Sequence, residues 1–221
     1  MCSVSEKLCC FIRRLGEFFK GLDGAIKLLH TVIIVILIVS PKAVVSSIEN
    51  LHQPRSGNYY IRNVGNGLYL SRLSEYESCY NNGCNAPIGM DSEERLQEES
   101  GRFVFTIEKS KEVYYIKLSE KIIGPEDKGD FIGSLNVWRK THKEPKAGDG
   151  INLFEFKGDV TQEWRFIYAE DGYYYIVPNG DENLAVKYEE VKASDGMTFD
   201  ISICEKAGQS FQKWELIKAH K

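Results

Sequence analysis

The segment QEWRFI at residues 162–167 decides the fold, because the chain repeats it. It returns as QKWELI at 212–217 and, in a more divergent form, as RFVFTI at 102–107. A second segment built around Tyr-Tyr-Ile alternates with the first, reading SGNYYIRN at 56–63, EVYYIKLS at 112–119 and GYYYIVPN at 172–179. Two segments that recur three times in the same order predict an internal repeat, with units at 56–108, 112–168 and 172–219.

Most of the repeated region has the pattern of β-strands. Tyr114 and Ile116 alternate with their neighbours, as Tyr59 and Ile61 do, which is typical of half-buried strands. Glycine-rich turns separate these strands, and the only candidate helix is a short one at 88–101. Units of a few short strands bury a core only by closing together, so the sequence predicts an all-β fold.

The repeat-closing motif resembles that of the ricin-B lectin family, whose fold is the β-trefoil. Gln162-Glu163-Trp164 and Gln212-Lys213-Trp214 match the Gln-x-Trp motif of that family, and the first unit departs from it with Gly101-Arg102-Phe103. The resemblance covers residues 56–219, and we assign the trefoil domain to 56–221. It implies that Phe103, Trp164 and Trp214 plug a threefold core, while the Gln amides tie down neighbouring backbone.

The same resemblance implies a sugar site in each unit, formed by an Asp after an early Leu, a stacking aromatic and a polar residue before Gln-x-Trp. The Leu-Asp pair maps onto Leu70-Ser71, Ile123-Gly124 and Leu184-Ala185, so the carboxylate is lost in all three units. We therefore expect a degenerate site that recognises a carbohydrate or glycoprotein. The remaining candidate contacts are Phe156 and Gln162 in the second unit and Asp195 and Gln212 in the third.

A second resemblance gives an alternative function. The stretch SGNYYIRNVGNGLYLSR at 56–72 is similar to the start of mushroom protease inhibitors of the mycocypin and macrocypin type. That resemblance implies that surface loops such as 72–101 or 140–161 enter a protease cleft. A trefoil scaffold that contacts only protein partners is the third interpretation.

The first 46 residues differ in character from the repeats. Residues 28–39 (LLHTVIIVILIV) are the longest apolar run, and residues 5–29 carry apolar side chains at helical spacing. This pattern predicts an amphipathic helix and a membrane anchor, with positive residues keeping the N-terminus in the cytoplasm. A cleaved signal peptide, which leads to secretion, and a soluble core segment are the alternatives.

An anchor leaves residues 47–55 as a linker and the trefoil on the lumenal or outer side of the membrane. Three cysteines lie in or beside the basic amphipathic stretch, where palmitoylation is a candidate modification: Cys2, Cys9 and Cys10. In the repeated region, Cys79 and Cys84 bracket the turn-rich sequence CYNNGC, which favours a local disulfide, with two free thiols as the alternative. Cys204 is predicted to be an unpaired core residue.

Composition and motifs argue against several functional classes. The net charge is −4 and the negative charge lies in the repeated region, which argues against a nucleic-acid partner. The sequence has no His, Cys and carboxylate cluster with metal-ligand spacing, no phosphate-binding loop and no nucleophile motif. It therefore predicts a non-enzymatic binding protein without a cofactor or metal.

Overall fold

In the computed structural model, the described residues are 52–73, 78–80, 83–124, 126, 129–138, 144–192 and 198–219. Side chains are described for all of these except 78–80, 190–192 and 198–199. The predicted amphipathic helix and membrane anchor, with Cys2, Cys9 and Cys10, lie outside this part of the chain. Within it, no helix is long and apolar enough to cross a bilayer.

Each repeat contributes four strands to a common plan. The strands of the first repeat and its insertion are β1 (Gly57–Asn63), β2 (Tyr69–Arg72), β3 (Ser78–Tyr80), β4 (Gly83–Ala86), β5 (Ile88–Asp91) and β6 (Phe105–Ser110). The second repeat has β7 (Val113–Leu118), β8 (Gly133–Val137), β9 (Ile151–Glu155) and β10 (Trp164–Tyr168). The third repeat has β11 (Tyr174–Pro178), β12 (Leu184–Lys192), β13 (Thr198–Glu205) and β14 (Trp214–Lys218).

Helical structure is confined to short turns in the described residues. Helix α1 (Glu93–Glu98) lies inside the predicted 88–101 segment, whose first residues form β5 instead. Each repeat closes with a 3-10 turn before its last strand, at Ser100–Arg102, Val160–Gln162 and Ser210–Gln212. The all-β prediction for the repeated region is therefore confirmed.

Six strands close into a barrel, because each pairs with two neighbours in an antiparallel ring. The ring runs β1–β6–β7–β10–β11–β14 and returns to β1. Six of the other eight strands form three hairpins, β2–β5, β8–β9 and β12–β13, one from each repeat. A six-stranded barrel with three hairpins is the β-trefoil plan, and closure removes the exposed edges of the barrel sheet.

The alternation within each Tyr-Tyr-Ile segment sets which side chains enter the barrel. In β7, Tyr114, Ile116 and Leu118 are buried, whereas Tyr115 and Lys117 are partly exposed. The same parity buries Tyr59 and Ile61 in β1. Side chains on a strand alternate between its two faces, so the middle Tyr of each triplet lies on the outer surface of the barrel.

The closing aromatic residues lie at the hairpin end of the barrel. Trp164 and Trp214 are fully buried, and their indole N–H groups donate to the carbonyl oxygens of Leu135 (3.0 Å) and Val186 (3.1 Å). Phe103 is equally buried, but it lies outside the cluster of core side chains that includes both tryptophans. All three closing aromatic side chains are therefore buried, and the two tryptophans belong to the central cluster.

Residues before β1 close the opposite end of the barrel. The Tyr59 hydroxyl donates to the carbonyl of Arg55 at 2.7 Å, and the Tyr114 hydroxyl donates to Gln53 Oε1 at 2.9 Å. Gln53 in turn donates to the carbonyl of Phe166 at 3.3 Å, and Pro54 is buried. The compact unit begins at His52, so residues 52–55 of the predicted linker pack as part of the trefoil.

The β3–β4 hairpin is an insertion that the repeat pattern does not predict. It lies between β2 and β5, and β4 pairs with β9 of the second repeat through Asn85–Phe154 and Ala86–Leu153. Cys84 on β4 is buried and disulfide-bonded, and Cys79 lies directly opposite it in the backbone register. The Cys79–Cys84 pairing remains a prediction that this register favours.

Candidate functional site

The two Gln-x-Trp glutamines hold the turns that precede β10 and β14. Gln162 Oε1 accepts from the backbone N–H groups of Lys157 (2.9 Å) and Gly158 (3.1 Å), and its amide donates to the Glu155 carbonyl at 3.0 Å. Gln212 repeats this pattern with Ala207 N at 2.9 Å and the Glu205 carbonyl at 2.6 Å. Both side chains are buried, so their amides fix backbone, and neither amide faces solvent.

Two of the three positions predicted to correspond to the lectin Asp are buried. Ser71 and Ala185 are at most 1% exposed. In the second repeat the strand that follows β7 is β8, which begins at Gly133, so the predicted pair Ile123-Gly124 lies before that strand. Ile122 next to this pair forms an isolated bridge with Phe131, and Ile123 is 76% exposed. The predicted positions in the first and third repeats are therefore inaccessible to a ligand.

Phe156 lies at the end of β9 in a group of surface side chains that we call the second-unit aromatic cluster, comprising Tyr115, Lys117 and Phe156. The Tyr115 and Phe156 rings meet edge to face, with centroids 5.1 Å apart. Lys117 Nζ lies 4.6 Å from the centroid of the Phe156 ring and forms an ion pair with Glu108. All three members are partly exposed, so the cluster presents aromatic surface to solvent.

Polar groups border this cluster. Tyr115 Oη lies 3.5 Å from Glu163 Oε1, and Glu163 Oε2 accepts from the side-chain amide of Asn179 at 2.7 Å. The pKa of Tyr115 is raised, first by partial burial and then by the Glu163 carboxylate, so the phenol stays protonated near neutral pH. A carboxylate, an amide and a phenol thus surround the aromatic pair.

The barrel and the inserted hairpin position Phe156. The backbone N–H of Phe156 donates to the carbonyl of Ile132 at 2.8 Å, and the turn that follows it is held by Gln162. On the other side, a methyl group at Gly83 would lie 2.7 Å from the Phe154 ring and 3.1 Å from Lys157 Nζ. The β3–β4 hairpin therefore forms a wall beside the segment that carries Phe156.

The structure brings together one of the predicted site residues with several that sequence reasoning missed. Phe156 lies in the cluster, whereas Gln162 and Gln212 are used internally, and Asp195 lies outside the described residues. Tyr115, Glu163 and Asn179 were not predicted. The outward parity of the middle Tyr in each Tyr-Tyr-Ile triplet is the sequence signal that indicates Tyr115.

Two kinds of reactive group remain to be described: the thiol of Cys204 and the side chains that could bind a metal ion. Cys204 is free and partly buried, Gln212 Nε2 lies 2.9 Å from its sulfur, and burial raises the pKa of the thiol. A buried thiol with a raised pKa is a poor nucleophile. No group of three or more His, Cys, Asp or Glu side chains among the described residues is arranged to hold a metal ion.

No protein-family model and no curated protein sequence matches this chain. Among solved structures, a designed threefold-symmetric protein, ThreeFoil, matches with a TM-score of 0.51 and 19% identity, over 74% of this chain and 99% of that chain. An exo-β-1,3-galactanase from Clostridium thermocellum gives 0.51 and 19%, over 76% of this chain and 31% of that chain. A ricin B-like lectin from Macrolepiota procera, in complex with lactose, gives 0.49 and 12%, over 76% and 99%.

These similarities establish the fold. The barrel closure, the three hairpins and the match to a threefold-symmetric protein define a β-trefoil, which confirms the fold inferred from the resemblance to ricin-B lectins. The galactanase match covers about a third of that enzyme, so the resemblance is to one part of it.

Proposed function

We propose that this trefoil is a non-enzymatic carbohydrate-binding module and that the second-unit aromatic cluster is its binding surface. The observation that carries the proposal is the position of the partly exposed Tyr115–Phe156 ring pair beside the Glu163 carboxylate and the Asn179 amide. The fold shared with part of a galactanase supports the choice of a sugar as ligand class.

The cluster offers the two kinds of contact that sugars need. The C–H face of a pyranose packs on aromatic surface, here supplied by Phe156 and Tyr115. Sugar hydroxyl groups donate to the Glu163 carboxylate, and such charge-assisted bonds contribute about 1.5–3 kcal/mol each. This arrangement replaces the lost Asp of the lectin site with a carboxylate from the residue that precedes β10.

Preorganisation strengthens the proposal. Glu163 is held by Asn179, which lies just after β11, and Phe156 is held by the Gln162-pinned turn. Side chains that are already fixed lose less conformational entropy when a ligand binds. The buried glutamines thus support the binding surface indirectly.

The cellular setting remains the one that the sequence predicts. Residues 1–46 would anchor the module with the trefoil on the lumenal or outer side, or would direct its secretion after cleavage. The disulfide at Cys84 supports an oxidising compartment. Carbonate extraction of the full-length protein and of a form lacking residues 1–46 tests this: the full-length protein alone should stay in the membrane fraction. Release of both forms would contradict an anchor.

A glycan array probed with full-length protein tests the proposed function. We expect saturable binding to at least one glycan, weakened about tenfold in Phe156→Ala through lost ring contact. Glu163→Gln keeps the shape of the side chain and removes its charge, and we expect a similar or larger loss. Ile123→Ala, which removes a 76% exposed apolar side chain outside the cluster, is the matched control.

Negative results distinguish the alternatives. The absence of any saturable glycan contradicts the proposal. In that case, dose-dependent inhibition of a cysteine or serine protease would favour the inhibitor interpretation. Failure of both assays would favour a scaffold for protein partners. Thermal unfolding of each variant shows whether a loss of binding reflects the site or the fold.

A further inference from the structure

Phe211 is an exposed aromatic residue that the proposed site does not use. It lies in the 3-10 turn Ser210–Gln212 of the third repeat, and its side chain is 41% exposed. The turn faces the β1–β2 loop of the first repeat, which contains Gly65 and Asn66. We call Phe211, Gly65, Asn66 and Gln209 the Phe211 platform.

The Phe211 ring rests directly on the backbone of Gly65. A Cβ atom at Gly65 would lie 2.5 Å from Cδ1 and 2.8 Å from Cγ of the ring, closer than side-chain atoms approach one another. Glycine at this position therefore lets the ring pack on the backbone, and the Phe211 side chain stays 41% exposed.

Hydrogen bonds fix the turn and the loop to each other. The buried side chain of Asn63 donates to the Phe211 carbonyl at 2.9 Å and accepts from Gly65 N–H at 3.0 Å. Val64 N–H donates to the Lys213 carbonyl at 3.0 Å, and Gln209 and Gln212 cap the turn reciprocally. The backbone that carries the exposed ring is thus fixed before any ligand arrives.

The surroundings of the ring are polar and nearly uncharged. Asn66, Gln209 and Ser210 are exposed in the same loop and turn, and Lys213, two positions after Phe211, forms an ion pair with Glu170. A fixed aromatic surface bordered by amide and hydroxyl groups suits the C–H face and hydroxyls of a neutral sugar, and it offers no counter-ion for an acidic one.

We propose that the Phe211 platform is a second carbohydrate site, selective for neutral hexose residues. This inference rests on the proposed function and extends it, because it gives each chain two binding surfaces in different repeats. A chain with two such surfaces binds a clustered glycan more tightly than either surface alone.

Nuclear magnetic resonance of full-length protein with ¹³C-labelled phenylalanine tests the second site. Methyl β-galactoside, methyl N-acetyl-β-glucosaminide and methyl α-mannoside are titrated separately, and Phe156→Leu and Phe211→Leu assign the two ring signals. We expect one of these sugars to shift the Phe211 signal with a saturating curve. We expect Gly65→Ala, which displaces the ring and keeps the reporter, to weaken that curve about tenfold and leave the Phe156 curve unchanged.

The outcomes separate the two proposals. A saturating shift at Phe156 with none at Phe211 overturns the second site and leaves the first intact. A saturating shift at Phe211 that Gly65→Ala abolishes, in a variant with wild-type thermal stability, supports the platform even if Phe156 does not respond. A Phe211 titration curve that is identical in wild type and Gly65→Ala would overturn the claim that packing of the ring on Gly65 forms the binding surface. Ile123→Ala is the control for general surface effects and should change neither curve.

Discussion

Arg102 donates from Nε to the main-chain carbonyl oxygen of Arg72 at a distance of 2.8 Å. The other two repeats join their closing segments to the second strand through indoles, because Trp164 and Trp214 donate to the carbonyls of Leu135 and Val186. The side chain of Phe103 has no N–H group. The guanidinium of its neighbour Arg102 is therefore the side-chain donor in the first repeat. In each repeat a side chain of the closing segment thus donates to a carbonyl of the second strand, although the first repeat uses another residue type and another strand position.

We therefore expect Arg102→Ala to destabilise the trefoil by about 1–3 kcal/mol, because a partly buried carbonyl loses its donor. Urea unfolding followed by tryptophan fluorescence measures the change. Arg165→Ala is the matched control: its ion pair with Glu182 is exposed, and its loss should cost well under ~1 kcal/mol. Equal effects of the two substitutions would argue against a specific role for Arg102.

The buried glutamines lead to a second expectation. Gln162→Glu keeps the acceptor for Lys157 N–H and Gly158 N–H but turns the amide donor toward the Glu155 carbonyl into an acceptor. We expect a loss of several kcal/mol, larger than that of Gln162→Ala, because a buried charge then faces a carbonyl oxygen. The same order should hold at Gln212. A Glu variant as stable as wild type in urea unfolding would mean that the amide does not fix this turn.

The barrel end that contains Tyr114 should respond to alkaline pH. Burial raises the pKa of Tyr114 to about 12 from an ordinary value of 10. The unfolded chain therefore loses this proton at lower pH than the folded chain, so the stabilisation is complete below pH 10 and falls between about pH 10 and 12.

Tyr114→Phe removes both this titration and the hydrogen bond to Gln53, so we expect about 1 kcal/mol lower stability at neutral pH and a shallower alkaline decline. Urea unfolding across pH 8–12, with Tyr175→Phe as the surface control, provides the comparison. If wild type and Tyr114→Phe lose stability in parallel, the alkaline sensitivity arises elsewhere.

The cysteine chemistry is open to direct mapping. We expect proteolysis under non-reducing conditions to yield a peptide pair joined through Cys79 and Cys84, with Cys204 recovered as a thiol. Closing such a short loop contributes about 2 kcal/mol, so Cys84→Ser should lower stability by a similar amount. Mass spectrometry that joins Cys84 to a cysteine of the first 46 residues would refute the local pairing.

Repeated motifs were sufficient to predict the fold because each repeat carries the same inward residues. Tyr114, Ile116 and Trp164 are buried as the alternation and the resemblance indicated. The periodic pattern says nothing about segments that only one repeat has. The β3–β4 hairpin and the loop between β7 and β8 have no counterparts in the other units. Because of this loop, the predicted second sugar position, Ile123-Gly124, lies before β8.

The candidate site was less predictable for a related reason. Phe156 could be proposed from its position before Gln162, but its partners come from other strands. Barrel closure pairs β7 with β10 through Tyr114 and Trp164 and thereby brings Tyr115 close to Glu163, which is 48 positions away in the chain. Neighbours of this kind are brought together by closure of the barrel. No short-range spacing in the sequence predicts them.

The location of a bound glycan in a crystal structure of the full-length protein tests the central claim most directly. With a glycan selected on the array, we expect a pyranose ring packed on Phe156, with its hydroxyl groups in hydrogen-bond contact with Glu163 and Asn179. A sugar bound instead beside Ser71, Gly124 or Ala185, or bound nowhere near the second-unit aromatic cluster, would contradict the account.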